Sequence, residues 1–151
     1  MKKTALIFSS VFGIGYIKYA SGTFGSLAGL VFWIFIPNSV SAQIIAVLII
    51  IAASIIFANI AEKIYGRIDD GRIVIDEVAG MWVSLLFLPK TIFFLVPAFF
   101  LFRFFDISKP LFVDKLQRLK GGFGITADDV AAGVLANIIL QIINVLICLF
   151  A

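Results

Sequence analysis

The sequence predicts an all-α, polytopic membrane helical bundle with about four or five spans, a short N-terminal helix and a polar site at the cytoplasmic face. Three observations predict it. The chain is 62% hydrophobic and only 14% charged, against about 25% charged in soluble domains. Two runs, 40–61 and 130–151, hold no charged residue, and at about 1.5 Å per residue each can cross a hydrocarbon core of about 30 Å. Eleven of the twelve basic residues fall on segments that can share one membrane side. The length of 151 residues suits a single domain, 1–151.

The elements follow in order. Lys2-Lys3 and the apolar stretch from Thr4 to Ile17 imitate a signal peptide. Lys18 follows at once, and no small-x-small cleavage site precedes it, so a retained short helix is expected, interfacial or packed on the bundle. Phe24 to Ile36 is a shorter apolar run that ends at Pro37-Asn38 and is extended at its start by Ser21 to Thr23. Gly25-x-x-x-Gly29 within it is a helix-contact motif in membranes. Val40 to Ala61 and Val130 to Ala151 are full spans. The stretch 78–105 is broken by Pro89-Lys90 and by Pro97. As one helix it would put Asp76-Glu77 and Asp128-Asp129 on opposite faces of the membrane. A hairpin at Pro89-Lys90 returns them to one face, with Asp76-Glu77 on its first arm. That arrangement leaves only Lys90 opposite eleven other basic residues, which by the positive-inside rule places the polar segments 62–77 and 103–129 in the cytoplasm.

Six of the nine acidic residues come as adjacent pairs: Asp69-Asp70, Asp76-Glu77 and Asp128-Asp129. Adjacent like charges repel, and a carboxylate in hydrocarbon costs roughly 2.5–3.5 kcal/mol. A gathering cation accounts for them. Oxygen-only ligands point to Mg²⁺, with Mn²⁺ the other candidate. With no histidine in the chain, phosphohistidine chemistry and Cys/His hydrolysis are excluded. Cys148 is alone in an apolar run and has neither a disulfide partner nor the setting of a reactive thiolate. A net charge of +3, spread along the chain, argues against a nucleic-acid partner.

Three further patterns have both a functional and a plainer account. Gly121-Gly122-Phe123-Gly124 before Thr126 and Asp128-Asp129 offers backbone N–H groups to an anion; the plainer account is a turn with Thr126 as N-cap and Asp129 at N3. Arg103, Asp106 and Lys109 share a helix face at i, i+3. They are a salt-bridge ladder, or Arg103 and Lys109 bind phosphate while Asp106 orients them or binds metal. Gly22 and Thr23 precede the Phe24 helix, where they can touch a phosphate.

The segments ASGTFGSLAGL (20–30), Asp69 with IVIDEVAG (73–80), FRFFDISKP (102–110) and GGFGITADDVAAG (121–133) resemble the phosphatidylglycerophosphatase A family, in order and over about 13–133. The resemblance implies an all-α bacterial enzyme of the inner membrane. It would remove the terminal phosphate of phosphatidylglycerophosphate with Mg²⁺, giving phosphatidylglycerol in phospholipid biosynthesis. It marks Asp69, Asp76, Glu77, Asp106, Asp128 and Asp129 as the acidic, metal-binding site, and Arg103 and Lys109 as phosphate partners. Asp70 falls outside that pattern. Asp76, Glu77, Asp128 and Asp129 are the expected catalytic acids, Glu77 or Asp129 the expected base, and Gly22, Thr23, Gly122 and Gly124 further substrate contacts.

Two other functions fit parts of the composition. A CDP-alcohol phosphatidyltransferase also combines membrane helices, Asp residues and Mg²⁺, but its D-G-x-x-A-R … G-x-x-x-D-x-x-x-D pattern is absent. A small cation channel or carrier needs acids inside its spans, and neither 40–61 nor 130–151 contains one. The D-x-D-x-[TV] pattern of phosphatases with an aspartyl-phosphate intermediate is also missing, which favours direct attack by water.

Overall fold

A computed structural model describes residues 2–67, 70–109 and 121–150. The described residues form six α-helices and no strand: α1 (Lys2–Ser9), α2 (Ser21–Ile34), α3 (Val40–Tyr65), α4 (Ile75–Leu85), α5 (Ile92–Ser108) and α6 (Gly122–Phe150). A 3₁₀ turn, Ile14–Tyr16, follows α1. The two uncharged runs lie in α3 and α6, with 26 and 29 residues. Both are long and apolar enough to cross a membrane. With 14, 11 and 17 residues, α2, α4 and α5 fall short of the roughly 20 residues of a full crossing. Large apolar side chains stay exposed along α3 and α6, among them Ile45, Leu48, Ile49, Ile138, Ile142 and Val145. Such length and surface suggest a membrane protein.

The expected hairpin is present, and its turn runs from Leu86 to Thr91 between α4 and α5. Pro97 does not break the second arm, because α5 continues through it. An irregular turn beside apolar helices needs partners for its backbone. Side-chain amides from the long helices supply them. Asn137 Nδ2 donates to the carbonyls of Ser84 and Leu86 (3.0 and 2.9 Å), and Gln141 Nε2 donates to Leu86 (2.9 Å). Gln43 Oε1 accepts from Phe87 N–H at 3.0 Å. Lys90 donates to the Ile36 carbonyl, tying this turn to the end of α2.

Small residues set the helix spacing. Gly25 and Gly29 of α2 lie against Val74, Val78 and Met81 of the α4 segment, as the Gly-x-x-x-Gly motif predicts. Gly80 of α4 and Gly133 of α6 bring two backbones together: a Cβ on Gly80 would stand 2.6 Å from the Asp129 carbonyl oxygen, and one on Gly133 would strike the Gly80 carbonyl. Matched positions then follow along the pair, Gly80 with Asp129 and Gly133, Ser84 with Asn137, Leu86 with Gln141. The two helices therefore run parallel. Trp33, Met81, Leu85, Phe102, Ala136 and Leu140 fill the core between α2, α4, α5 and α6.

Two local expectations change. The helix that was to start at Phe24 starts at Ser21, so Gly22 and Thr23 lie inside its first turn. Thr126 is not an N-cap: α6 already begins at Gly122. The Thr126 hydroxyl donates to the Gly122 carbonyl at 2.8 Å and pairs with Ser54 Oγ of α3 at 2.7 Å. A partner from another helix satisfies the hydroxyl, so it has no need to cap.

Candidate active site

The parallel α4–α6 contact builds the site. Asp76 precedes Gly80 by four residues, and Asp129 precedes Gly133 by four, so in each helix the acid sits one turn before the glycine on the same face. Gly80 rests on the Asp129 backbone. The close approach therefore carries the first turn of α4 to the second turn of α6. Oxygens from Asp76, Glu77 and Asp129 lie within 4.8 Å of one another. Asp76 and Asp129 are each only 4% exposed.

Buried carboxylates this close repel by roughly 3 kcal/mol per ionised pair at an effective dielectric near 20. A proton or a cation must offset that. Among the described residues, Glu77 Oε2 and Asp129 Oδ2 are buried without a hydrogen-bond donor. Buried oxygens without donors are uncommon in folded proteins and call for an occupant. A hard divalent cation fits the donor set, which is carboxylate oxygen from three side chains.

Two ion pairs flank the cluster. Arg103 of α5 donates to Asp106 Oδ2 at 2.6 Å and to Ser26 Oγ at 3.4 Å, while its Nε is buried with no acceptor among the described residues. Lys109, at the end of α5 in the left-handed conformation (φ 41°), donates to Asp128 Oδ2 at 2.6 Å. The site thus has an inner group of acids and an outer ring in which Asp106 and Asp128 hold cations. The expected acidic site contained both sets without this division. Asp69 lies outside the described residues.

The predicted contact residues divide as well. Gly22 abuts Glu77 Oε1 and Arg103 Nη1, where a Cβ would collide with the carboxylate. Thr23 is half-buried in the same turn. Gly122 is pressed on the Ile55 carbonyl and Asn59 of α3, and Gly124 is buried in the first turn of α6. Ser26, given no site role in the sequence reading, joins the site through Arg103; its signal was a hydroxyl one turn after Gly22 in an apolar helix.

Asp70 lies outside the acid cluster. Both its oxygens accept from the Arg72 side chain, at 2.7 and 2.9 Å. Those bonds hold the Asp70 carboxyl below the usual aspartate range, with burial opposing them, and they raise Arg72.

Comparisons with known proteins agree with the geometry. The family model described as phosphatidylglycerophosphatase A matches residues 7–144. A Bacteroides thetaiotaomicron protein named "Putative phosphatidylinositol-3-phosphatase" is 38% identical over 140 residues, 87% of this chain and 87% of that protein. Proteins named phosphatidylglycerophosphatase A from Escherichia coli and Haemophilus influenzae are 36% and 35% identical. They align over 88% and 85% of this chain, and over 79% and 81% of their own lengths. No solved structure matches the chain.

Proposed function

The chain belongs to the phosphatidylglycerophosphatase A family, and on that premise we propose that it hydrolyses the terminal phosphomonoester of phosphatidylglycerophosphate, dependent on Mg²⁺, at the cytoplasmic face of the bacterial inner membrane. The observation that carries this reading is the meeting of Asp76, Glu77 and Asp129 within 4.8 Å, beside Arg103, whose Nε has no acceptor among the described residues. Such a site is complementary to a phosphate and a cation together.

Asp76, Glu77 and Asp129 would hold the Mg²⁺, with Asp69, Asp106 and Asp128 as further candidates, and Mn²⁺ as the other suitable ion. When bound it would supply charge neutralisation for the phosphate and a more acidic water. Arg103 binds the phosphate oxygens through its buried Nε edge, kept in place by Asp106 and Ser26. Lys109, held by Asp128, adds positive charge at the same rim. Whichever of Glu77 and Asp129 is left unligated takes the proton of the attacking water. Gly22 admits Glu77 to the site by having no side chain. The acyl chains stay in the bilayer, so the headgroup reaches the site by lateral diffusion.

The membrane reading is multi-pass. Lys63, Arg67, Arg72, Arg103 and Lys109 lie in the segments around the acid cluster, whereas Lys90 lies at the opposite turn. The four or five crossings comprise α3 and α6, with α2 and the α4–α5 hairpin beside them. The bilayer thins around the shorter helices.

The test is phosphate release from phosphatidylglycerophosphate by purified protein, with Mg²⁺ and with a chelator. Release that stops on chelation and returns with Mg²⁺ is expected. No release, or release indifferent to chelation, would sink the proposal. The name of the Bacteroides relative supplies a second substrate for the same assay, phosphatidylinositol 3-phosphate, which is also a phosphomonoester on a membrane lipid.

A further inference from the structure

The polar end of the bundle has a second pocket, of about 420 Å³, which the acid cluster does not use. Lys18, Ser21, Arg67, Asp70, Gly71 and Arg72 line it, together with the Gly15–Ile17 turn. Its one described acid is already matched: Arg72 takes both Asp70 oxygens and lies 3.6 Å from the Tyr65 ring centroid. Among the described residues, neither Lys18 nor Arg67 has a carboxylate at ion-pair distance. Among the described residues, the lining therefore carries a surplus of positive charge, which suits an anion.

Its position says which anion. Ser21 Oγ donates to the Gly71 carbonyl at 2.7 Å on the pocket wall. The next residue, Gly22, abuts Glu77 and Arg103. Successive residues of one helical turn thus face the pocket and the acid site. Tyr16, 54% exposed, lines the pocket as an amphipathic ring does at headgroup level. Besides the terminal phosphomonoester that it would present to the acid cluster, phosphatidylglycerophosphate has a phosphodiester, joined to it through a short bridge and lying toward the acyl chains.

We propose that the pocket of Lys18, Arg67 and Arg72 is a second anion subsite, which holds the phosphodiester of the substrate lipid while its phosphomonoester occupies the acid cluster. This rests on the lipid phosphatase reading and deepens it. A single phosphate site would accept any membrane phosphomonoester. The second subsite selects lipids that have both groups, and it serves phosphatidylglycerophosphate and a phosphoinositide monophosphate alike.

The test uses the double variant Lys18→Gln plus Arg67→Gln in neutral-detergent micelles with Mg²⁺. Arg72 is left intact because it also holds the loop. Four quantities are measured: KM, kcat, and inhibition by phosphatidylglycerol, which keeps the diester, and by inorganic phosphate, which resembles the monoester. The expected result is a roughly fivefold rise in KM and in the phosphatidylglycerol inhibition constant together. Phosphate inhibition shifts far less, and Arg67→Lys restores most of the loss. Unchanged phosphatidylglycerol inhibition overturns the proposal, and so does phosphate inhibition weakening in step. A KM effect seen only when another anionic lipid is added would assign the pocket to bystander lipids and overturn it too. If the unaltered protein releases no phosphate, the phosphatase reading falls, and this subsite loses its substrate with it.

Discussion

Replacing Gly80 with alanine tests whether the α4–α6 approach assembles the site. The added Cβ would stand 2.5 Å from Phe102 Cε2 and 2.6 Å from the Asp129 carbonyl oxygen. Comfortable contact needs about 3.5 Å, so the helices must part by close to 1 Å. Overpacking of this kind costs roughly 1–3 kcal/mol. The Phe102 ring can rotate, but the Asp129 contact is backbone and cannot give without moving α6. The shift falls directly on acids that must stay within 4.8 Å, and a 1 Å misplacement of reacting groups costs on the order of 100-fold in rate. Thermal unfolding in detergent and steady-state phosphate release are the assays. A lower unfolding temperature with kcat down about 100-fold is expected. Near-normal kcat in a folded Gly80→Ala protein would refute the claim that this glycine positions the acids.

Other outcomes separate charge from packing. Asp129→Asn lowers kcat by at least about 100-fold while leaving the unfolding temperature unchanged or raised, because it relieves repulsion among crowded, buried carboxyls; a fully active variant would remove Asp129 from the site. Gly22→Ala meets the movable end of Glu77 rather than backbone, so it lowers activity with little effect on unfolding, and equal losses in both would contradict that. Asn137→Leu takes the amide donor from the carbonyls of Ser84, at the end of α4, and Leu86, in the hairpin turn, and destabilises the protein by about 1–3 kcal/mol; an unchanged unfolding temperature would show that the turn does not need this donor. The Asp70 carboxyl is held below its ordinary range by Arg72, so its stabilisation is present above the ordinary aspartate pKa and is lost as pH falls through the lowered folded value. Asp70→Asn should flatten the acid limb of stability against pH, and an unaltered limb would exclude Asp70 as its source.

Hydrophobic length is a local property, so α3 and α6 were legible from uncharged runs alone. The hairpin was legible because Pro89-Lys90 interrupts an apolar stretch and charge asymmetry decides between topologies. The acids that meet were among those named in advance, while Arg103 and Lys109 were named as a ladder with Asp106 or as phosphate partners, and the pairing of Lys109 with Asp128 was not foreseen. Two signals were present but read otherwise. An acid followed four residues later by glycine occurs at Asp76 and Asp129, and it marks the face on which the helices touch. The polar residues Gln43, Asn137 and Gln141 stand inside apolar helices because the α4–α5 turn needs donors and an acceptor.

What the chain alone determined is which residues carry charge, how far each apolar run can reach and which end of the bundle is polar. Those depend on composition and spacing along one element. Only the tertiary structure decided which carboxylates share a centre. It put Asp76, Glu77 and Asp129 at one centre, with Asp106 and Asp128 beside them holding Arg103 and Lys109, and it set apart Asp70, which is taken up by Arg72. It also made Thr126 a helix–helix contact rather than a cap. The physical reason is the same in each case. A polar side chain takes the nearest partner that its surroundings offer, and in a helical bundle that partner often belongs to a helix distant in sequence.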